Sequence, residues 1–250
     1  MAEYDHLLAL AKDAAQKAVK ALAEVDTGSS SYKFADDLPR EMKSTADRVL
    51  EEIILDCLKP TGLPILSEEA GDLDGTVNIG LRWVVDPLDG TVNFMRGLAP
   101  CAVSIALYSG DLPVFGVIGD YPSGKLAWGG RSFGAFIEGC PIHVSTIPDK
   151  SKAILCTGFP SRFDFAGASA SAFIGLVSSY SKVRMLGAAS LSLLQVAKGA
   201  ADAYAEQDIM IWDVAAGLAL IEGAGGHISV SPGRYKNSHN IYASNGLLIN

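Results

Sequence analysis

Basic side chains are the scarce charged groups in this chain: 20 Lys and Arg stand against 28 Asp and Glu, a formal net charge of −8. Affinity for nucleic acid is carried largely by clustered Lys and Arg, so a general polyanion-binding role and a nucleic-acid partner are disfavoured. An acidic chain can still take a small phosphorylated molecule, provided metal ions supply positive charge locally. Cysteine is also sparse. Cys57, Cys101, Cys140 and Cys156 are scattered, form no C-x-x-C pair and have no His at metal-ligand spacing, so they read as small buried hydrophobes in a reducing compartment. His6, His143, His227 and His239 are equally isolated and suggest ordinary surface or core roles. No apolar run approaches the roughly 18 residues needed to cross a bilayer. The opening "MAEYDHLLALAKDAAQKAVKALAEV" lacks a basic stretch followed by an unbroken apolar one, and reads as a mature amphipathic helix rather than a signal peptide. The expectation is a cytoplasmic protein with no membrane and no nucleic-acid partner.

What is present is an ordinary globular balance, 49% hydrophobic and 19% charged over 250 residues, enough for one large domain or two smaller ones sharing an interface. Leu7, Leu8, Ala11, Ala14, Ala15, Ala18 and Leu22 recur at helical spacing. The stretch "DTGSSSYKFADDLPRE" reads as a polar loop, and "STADRVLEEIILDCL" as a second helix ended by Lys59-Pro60 and Gly62. "LPILSEEAGDLDG" is a short strand running into an acidic loop. From Leu81, short β-rich runs punctuated by Gly and Pro predict a meandering antiparallel sheet; after about residue 150 strands and helices alternate. The expected class is α/β (α+β), with residues 1–148 as an N-terminal α+β half and 149–250 as a C-terminal α/β half. No linker or repeat separates the two.

Acid stands at the ends of apolar elements in three places: Glu68-Glu69, Asp86 with Asp89 in "WVVDPLDGTVNF" (83–94), and Asp213; Asp47 lies on the second helix. Each has a plain alternative. Glu68-Glu69 could be a solvated loop, Asp89-Gly90 a turn, and Asp213 the cap of the helix that follows it. Together they point elsewhere. Carboxylates without His or Cys suit hard cations, above all Mg²⁺. Pro87 fixes the chain between Asp86 and Asp89, Gly90 lets backbone come close to a ligand, and Thr91 adds a hydroxyl. If "TVNFMRG" starts a helical turn, its free amides suit a phosphate. Two like unit charges about 4 Å apart repel by roughly 4 kcal/mol at an effective dielectric of 20, so converging carboxylates call for cations. These residues predict a multi-Mg²⁺ phosphoryl-transfer site.

The motifs resemble those of the inositol monophosphatase family, the Mg-dependent, Li-sensitive phosphatases. "WVVDPLDGTVNF" matches W-x-x-D-P-[ILV]-D-G-T-x-N-F, "ILSEEAGD" the upstream Glu-Glu element, and "IWDVAAGLALIEGAGG" the C-terminal W-D-x-A-A-G element, in the same order over nearly the whole chain. The resemblance implies a layered αβαβα sandwich of the sugar-phosphatase type, commonly a homodimer. It implies that Glu68, Asp86 and the Leu88 carbonyl hold one Mg²⁺, that Asp86, Asp89 and Asp213 hold a second, and that Glu68 reaches a third. Catalytic roles fall to Glu68, Thr91 and, through Thr91, Asp47, which would orient the attacking water; Glu69 would support from behind, and the amides of Gly90 and Thr91 would grip phosphate.

The lid departs from the family pattern. Where D-x-V-T-x-x-D is common, this chain has "REMKSTAD", with Ser44 in place of Thr and Lys43 before it. Lys43 reads either as a solvated side chain or as an extra phosphate contact, and a third metal depends on this segment. On the substrate side, Glu206 stands seven residues before Asp213, where inositol monophosphatases use a Glu toward substrate hydroxyls. Arg184, Gly187 and Ala189 match the segment lining the alcohol side, although Arg184 could equally be a surface or dimer-interface arginine. The expected substrate is a small polyol or sugar phosphate, inositol 1-phosphate first. The alternatives on the same metal core are 3'-phosphoadenosine 5'-phosphate and fructose 1,6-bisphosphate, and the non-enzyme alternative is an inactive phosphate- or Mg²⁺-binding regulatory module. The stretch "FPSRFDF" (159–165) could border the pocket, but reads first as a surface loop.

Overall fold

The computed structural model describes residues 4–25, 33–35, 38–43, 45–160 and 163–248. Helix α1 (Asp5–Leu22) buries the predicted Leu/Ala stripe. A short antiparallel hairpin follows, β1 (Lys33–Ala35) with β2 (Leu38–Lys43), inside the stretch expected to be loop. Polar, turn-forming composition hid it: main-chain pairing makes such a hairpin without an alternating apolar pattern. Helix α2 (Thr45–Leu58) ends where Pro60 and the left-handed Gly62 predict.

The first sheet is built from β3 (Ile65–Ser67), β4 (Gly71–Leu73), β5 (Leu81–Asp89), β6 (Cys101–Ser109), β7 (Leu112–Tyr121), β8 (Leu126–Gly130), β9 (Gly134–Ile137) and β10 (Cys140–Pro141), with the short helix α3 (Thr91–Met95) between β5 and β6. Its order is β10-β9-β8-β7-β6-β5-β3-β4, antiparallel except where β3 runs parallel to β5. The second half contributes β11 (Ile154–Thr157), α4 (Gly167–Ser178), β12 (Lys182–Arg184), α5 (Ala189–Ala197), β13 (Ala203–Met210), α6 (Ile211–Gly223), β14 (His227–Pro232) and β15 (Ser238–Ser244). Its sheet is mixed, in the order β12-β11-β13-β15-β14.

Five layers result. Trp83, Val85, Val103, Ile105 and Leu107 face α1 and α2, whereas Val84, Ala102 and Ala106 on the same strands face α5 and α6. The period of two along β5 and β6 therefore separates two cores, one on each face of a fully covered sheet. Small residues on the α6 side allow close approach: a Cβ on Gly116 would stand 2.4 Å from the Ala216 carbonyl oxygen, and one on Gly223 2.4 Å from that of Gly134. Enclosed between two sheets, α6 is apolar around most of its circumference, as a fully buried helix must be. Helix α4 packs through Leu176 and Val177 on the outer face of the second sheet. This is the αβαβα sandwich expected, and the two halves interlock through α5 and α6.

The cysteines are all free, but the burial expected of them holds only for Cys101 and Cys156; Cys57 is half-buried and Cys140 exposed on the rim strand β10. Trp83 is fully buried, with its indole N–H donating to Thr61 Oγ1 at 3.1 Å, and Trp128 stacks on Phe136. Among the described residues, no helix is long and apolar enough to cross a membrane.

Candidate active site

The parallel pairing of β3 with β5 sets Ser67 beside Val85, so that the next residues, Glu68 and Asp86, leave neighbouring strands side by side. The Glu68 N–H donates to the Val85 carbonyl at 3.2 Å, which fixes the register. Between Asp86 and Asp89 the β5–β6 register slips, a bulge that suits Pro87, which has no N–H to give to the ladder. The Asp86 carboxylate accepts the Leu88 N–H at 2.9 Å. Asp213 enters from the first turn of α6; the cap position there is Met210, and the Ile211 N–H is taken by the Asn237 carbonyl. Asp213 is thus not the cap residue of its helix.

Carboxylate oxygens of Glu68, Asp86 and Asp213 lie within 4.8 Å of one another. Burial raises Asp86 and Asp213 well above the usual carboxylate range, and the neighbouring charges of Glu68 and Asp89 push both further in the same direction. All-oxygen donors, crowded and desolvated, are what a hard divalent cation requires, so this donor set fits Mg²⁺. Asp89 is buried beside them but is turned toward α5: it accepts from the Ala189 N–H at 3.1 Å and the Ser190 N–H at 2.7 Å, and from the Ser190 hydroxyl. Burial raises it to about 6, with those hydrogen bonds opposing the rise.

Thr91 opens α3 after Gly90, which adopts a left-handed φ of 88°. The Thr91 hydroxyl is 2.9 Å from both Asp47 Oδ1 and the Leu88 carbonyl. Gly90 is required by its backbone angle and by its neighbours: a Cβ would meet the Pro100 carbonyl at 3.1 Å and Ala188 and Cys101 at 3.2 Å. Glu69 is half-buried in the turn after β3. Ser44 lies outside the described residues, and of Lys43 only the backbone falls within them.

A cavity of about 490 Å³ opens over these groups, with Glu68, Asp89, Asp213, Glu206, Gly187 and Ala189 in its lining. Glu206 is buried on β13; burial raises it to about 7, against the Tyr204 hydroxyl that donates to it at 2.8 Å. Among the described residues no Lys, Arg or His lines this space. Arg184 is exposed on the rim strand β12, donates to the Val183 carbonyl at 2.9 Å and does not reach the lining. The "FPSRFDF" stretch is an exposed loop that also borders the cavity: Phe159 and Pro160 line it, and Phe159 packs on Phe163, Phe165 and Phe173.

Several residues of this site escape a linear reading. Asn93 donates to the carbonyls of Pro100 and Leu186 at 2.7 and 2.8 Å and so braces the 186–189 loop against the motif. Ser190 anchors Asp89, and Asp208, Trp212 and Tyr235 complete the cavity wall. The N in "DGTVNF" was the one available signal; the rest act through partners distant in sequence.

Comparison with known proteins matches this geometry. The profile described as "Inositol monophosphatase family" aligns with residues 3–250. The chain belongs to the inositol monophosphatase family. An inositol-1-monophosphatase of Synechocystis is 37% identical over 192 residues, 76% of this chain and 67% of that protein. The Nus factor SuhB of Escherichia coli is 32% identical over 251 residues, 97% of this chain and 92% of that one. Among solved structures, the extragenic suppressor protein suhB of Bartonella henselae superposes with a TM-score of 0.86 at 31% identity, covering 96% of this chain and 94% of that one. The inositol monophosphatase of Anabaena gives 0.83 at 31% identity, with 98% and 92% covered. These inositol monophosphatase folds share the layered sandwich described above, while their names divide between an enzyme and a factor.

Proposed function

We propose that this protein is a Mg²⁺-dependent phosphomonoester hydrolase acting on a small polyol or sugar phosphate, inositol 1-phosphate first. The observation that carries the reading is the convergence of Glu68, Asp86 and Asp213 within 4.8 Å beneath a cavity that also takes in Asp89 and Glu206. Glu68, Asp86, the Leu88 carbonyl, Asp89 and Asp213 would hold two Mg²⁺, with Glu68 reaching a third. Bound there, Mg²⁺ would neutralise the phosphate, ease ionisation of an attacking water and stabilise the departing alkoxide.

The chain's own groups do the rest. Thr91, donating to Asp47, keeps a lone pair for the proton of an attacking water and passes polarity back to a buried carboxylate. Asp89 is fixed in orientation by the amides of α5 before any ligand arrives, so little reorganisation is left for binding. Glu206, held by Tyr204, offers its carboxylate to hydroxyls of the alcohol portion. A second phosphate finds no cation among the described lining residues, which favours monophosphates over fructose 1,6-bisphosphate or 3'-phosphoadenosine 5'-phosphate. The reading extends to a cytoplasmic homodimer inhibited by Li⁺, with residues 1–148 carrying most metal ligands and 149–250 carrying Asp213 and the substrate side.

Phosphate release from inositol 1-phosphate, those two bisphosphates and glycerol 2-phosphate, each with and without Mg²⁺, tests this. Mg²⁺-dependent preference for inositol 1-phosphate is expected; preference for a bisphosphate would overturn the pocket reading and keep the metal centre. The Nus factor name of relatives favours a second reading, a role in an assembly that does not need turnover. Absence of release from all four esters would put that reading first.

A further inference from the structure

Part of the cavity lining is not made by metal ligands: Tyr235 reaches it from the turn joining β14 to β15, residues 233–237. This turn is fastened to three other elements. The buried Asp208 carboxylate, in the bulge of β13, accepts from Arg234 twice, from its backbone N–H at 2.6 Å and its Nε at 2.7 Å. The Asn237 carbonyl accepts from Ile211 at the start of α6 at 2.9 Å. Lys236 Nζ lies 2.9 Å from Asp72 Oδ2 on β4, across the cleft on the other sheet. Inside the turn, the Tyr235 N–H donates to Ser238 Oγ at 2.9 Å and the Gly233 N–H to the Ser238 carbonyl at 2.9 Å.

Asp208 is a non-glycine residue at φ 57°, a costly backbone angle that persists only when its surroundings over-determine it. Gly233 presses so close that a Cβ would lie 2.9 Å from Asp208 Oδ1. The exposed Lys236–Asp72 pair contributes little alone, so the buried Asp208 carries most of the anchoring. What all this holds in place is the backbone of Tyr235, whose side chain lines the cavity together with Trp212, Phe159 and Ile209 and with the carboxylates of Glu206 and Asp213.

We propose that Tyr235 is a specificity-determining residue, and Asp208 the residue that positions it: the fixed aromatic ring packs against the C–H face of a cyclic alcohol whose hydroxyls turn toward Glu206. The inference rests on the phosphatase reading and names a determinant of its leaving-group preference. An amphipathic ring divides its faces in this way in a cavity that offers both aromatic surface and hydrogen-bond acceptors. An acyclic alcohol has no such face to cover, and gains little from Tyr235.

The test compares wild type, Y235A, Y235F and D208G on inositol 1-phosphate and glycerol 2-phosphate, with melting curves to establish folding. Y235A should raise KM for inositol 1-phosphate roughly 10-fold or more at nearly unchanged kcat, and alter glycerol 2-phosphate hydrolysis by less than about twofold. Y235F, which keeps the ring, should resemble wild type. D208G keeps the backbone conformation that glycine adopts freely but loses the anchor, so it should shift KM in the same direction as Y235A. Equal losses on both substrates, or none on either, would overturn the proposal. Binding of myo-inositol, followed through Trp212 fluorescence, needs no turnover and separates this inference from the phosphatase reading. If wild type released no phosphate from any ester, weaker inositol binding by Y235A would still support the role of Tyr235; equal binding, or none by wild type, would overturn it.

Discussion

The Thr91 hydroxyl sits 2.9 Å from Asp47 Oδ1, joining the start of α3 to a residue of α2 44 positions earlier in the chain. A hydroxyl has one proton to give, so donation to Asp47 leaves its lone pairs directed away from that carboxylate. Thr91→Ala should lower kcat on inositol 1-phosphate by about 10²–10³, and Thr91→Ser, which keeps the hydroxyl, should recover most of it. Because the two residues act as a unit, adding Asp47→Asn to Thr91→Ala should cost little more than either change alone. Independent, multiplying losses in steady-state assays would show that the pair does not work together.

Asp89→Asn removes one negative charge and keeps one of the two oxygens that accept from α5. The fold should survive, with a melting temperature within a few degrees of wild type, while Mg²⁺-dependent turnover falls by about 10² or more. Turnover near that of wild type would remove Asp89 from the metal centre.

Much of this architecture was legible because several signals agreed locally. The Leu/Ala stripe of α1, the Pro60–Gly62 stop of α2 and the alternation after residue 150 each follow from period and punctuation. The acidic cluster was legible because Glu68, Asp86 and Asp213 each follow an apolar run or open an apolar helix, and the fold brings their carboxylates within 4.8 Å. The hairpin Lys33–Ala35 with Leu38–Lys43 was not, since a polar stretch does not announce main-chain pairing. Nor were Asn93, Ser190 and Asp208, whose roles depend on partners such as Leu186, Asp89 and Arg234 that only the folded chain brings near. Arg184 illustrates the converse: a motif position can match while its side chain turns outward.

The buried carboxylates set a pH dependence on the metal-free fold. A carboxyl group whose folded pKa exceeds its unfolded value lends stability while protonated and loses it as pH rises through the folded pKa. Asp89, raised by burial to about 6, and Glu206, raised by burial to about 7, therefore destabilise the metal-free protein progressively between about pH 4 and pH 7. For Glu206 alone, the rise from its ordinary 4.5 to about 7 corresponds to roughly 3 kcal/mol at about 1.4 kcal/mol per pH unit. In EDTA the melting temperature should fall from pH 5 to pH 8, and Mg²⁺ should restore most of it at pH 8 by balancing the charges. A metal-free protein that grows more stable over that interval would contradict the cluster's electrostatics.

Glu206 tests the substrate side separately from the metals. Glu206→Ala should raise KM for inositol 1-phosphate about tenfold, the cost of leaving substrate hydroxyls without their acceptor. A generic aryl phosphate, which has no such hydroxyls, should be hydrolysed almost as before. Equal loss on both esters would make Glu206 a structural support for Tyr204 rather than a substrate contact.

On the reading proposed above, the carboxylates converging on Asp86 form a metal-dependent hydrolytic centre. The most direct measurement is phosphate release from inositol 1-phosphate as Mg²⁺ is titrated into the metal-free protein, with wild type and Asp86→Asn side by side. Wild type should show saturable, Mg²⁺-dependent release, and the variant should remain folded with release lower by about 10³ or more at any Mg²⁺ concentration. Release that ignores Mg²⁺, or that survives Asp86→Asn, would contradict it.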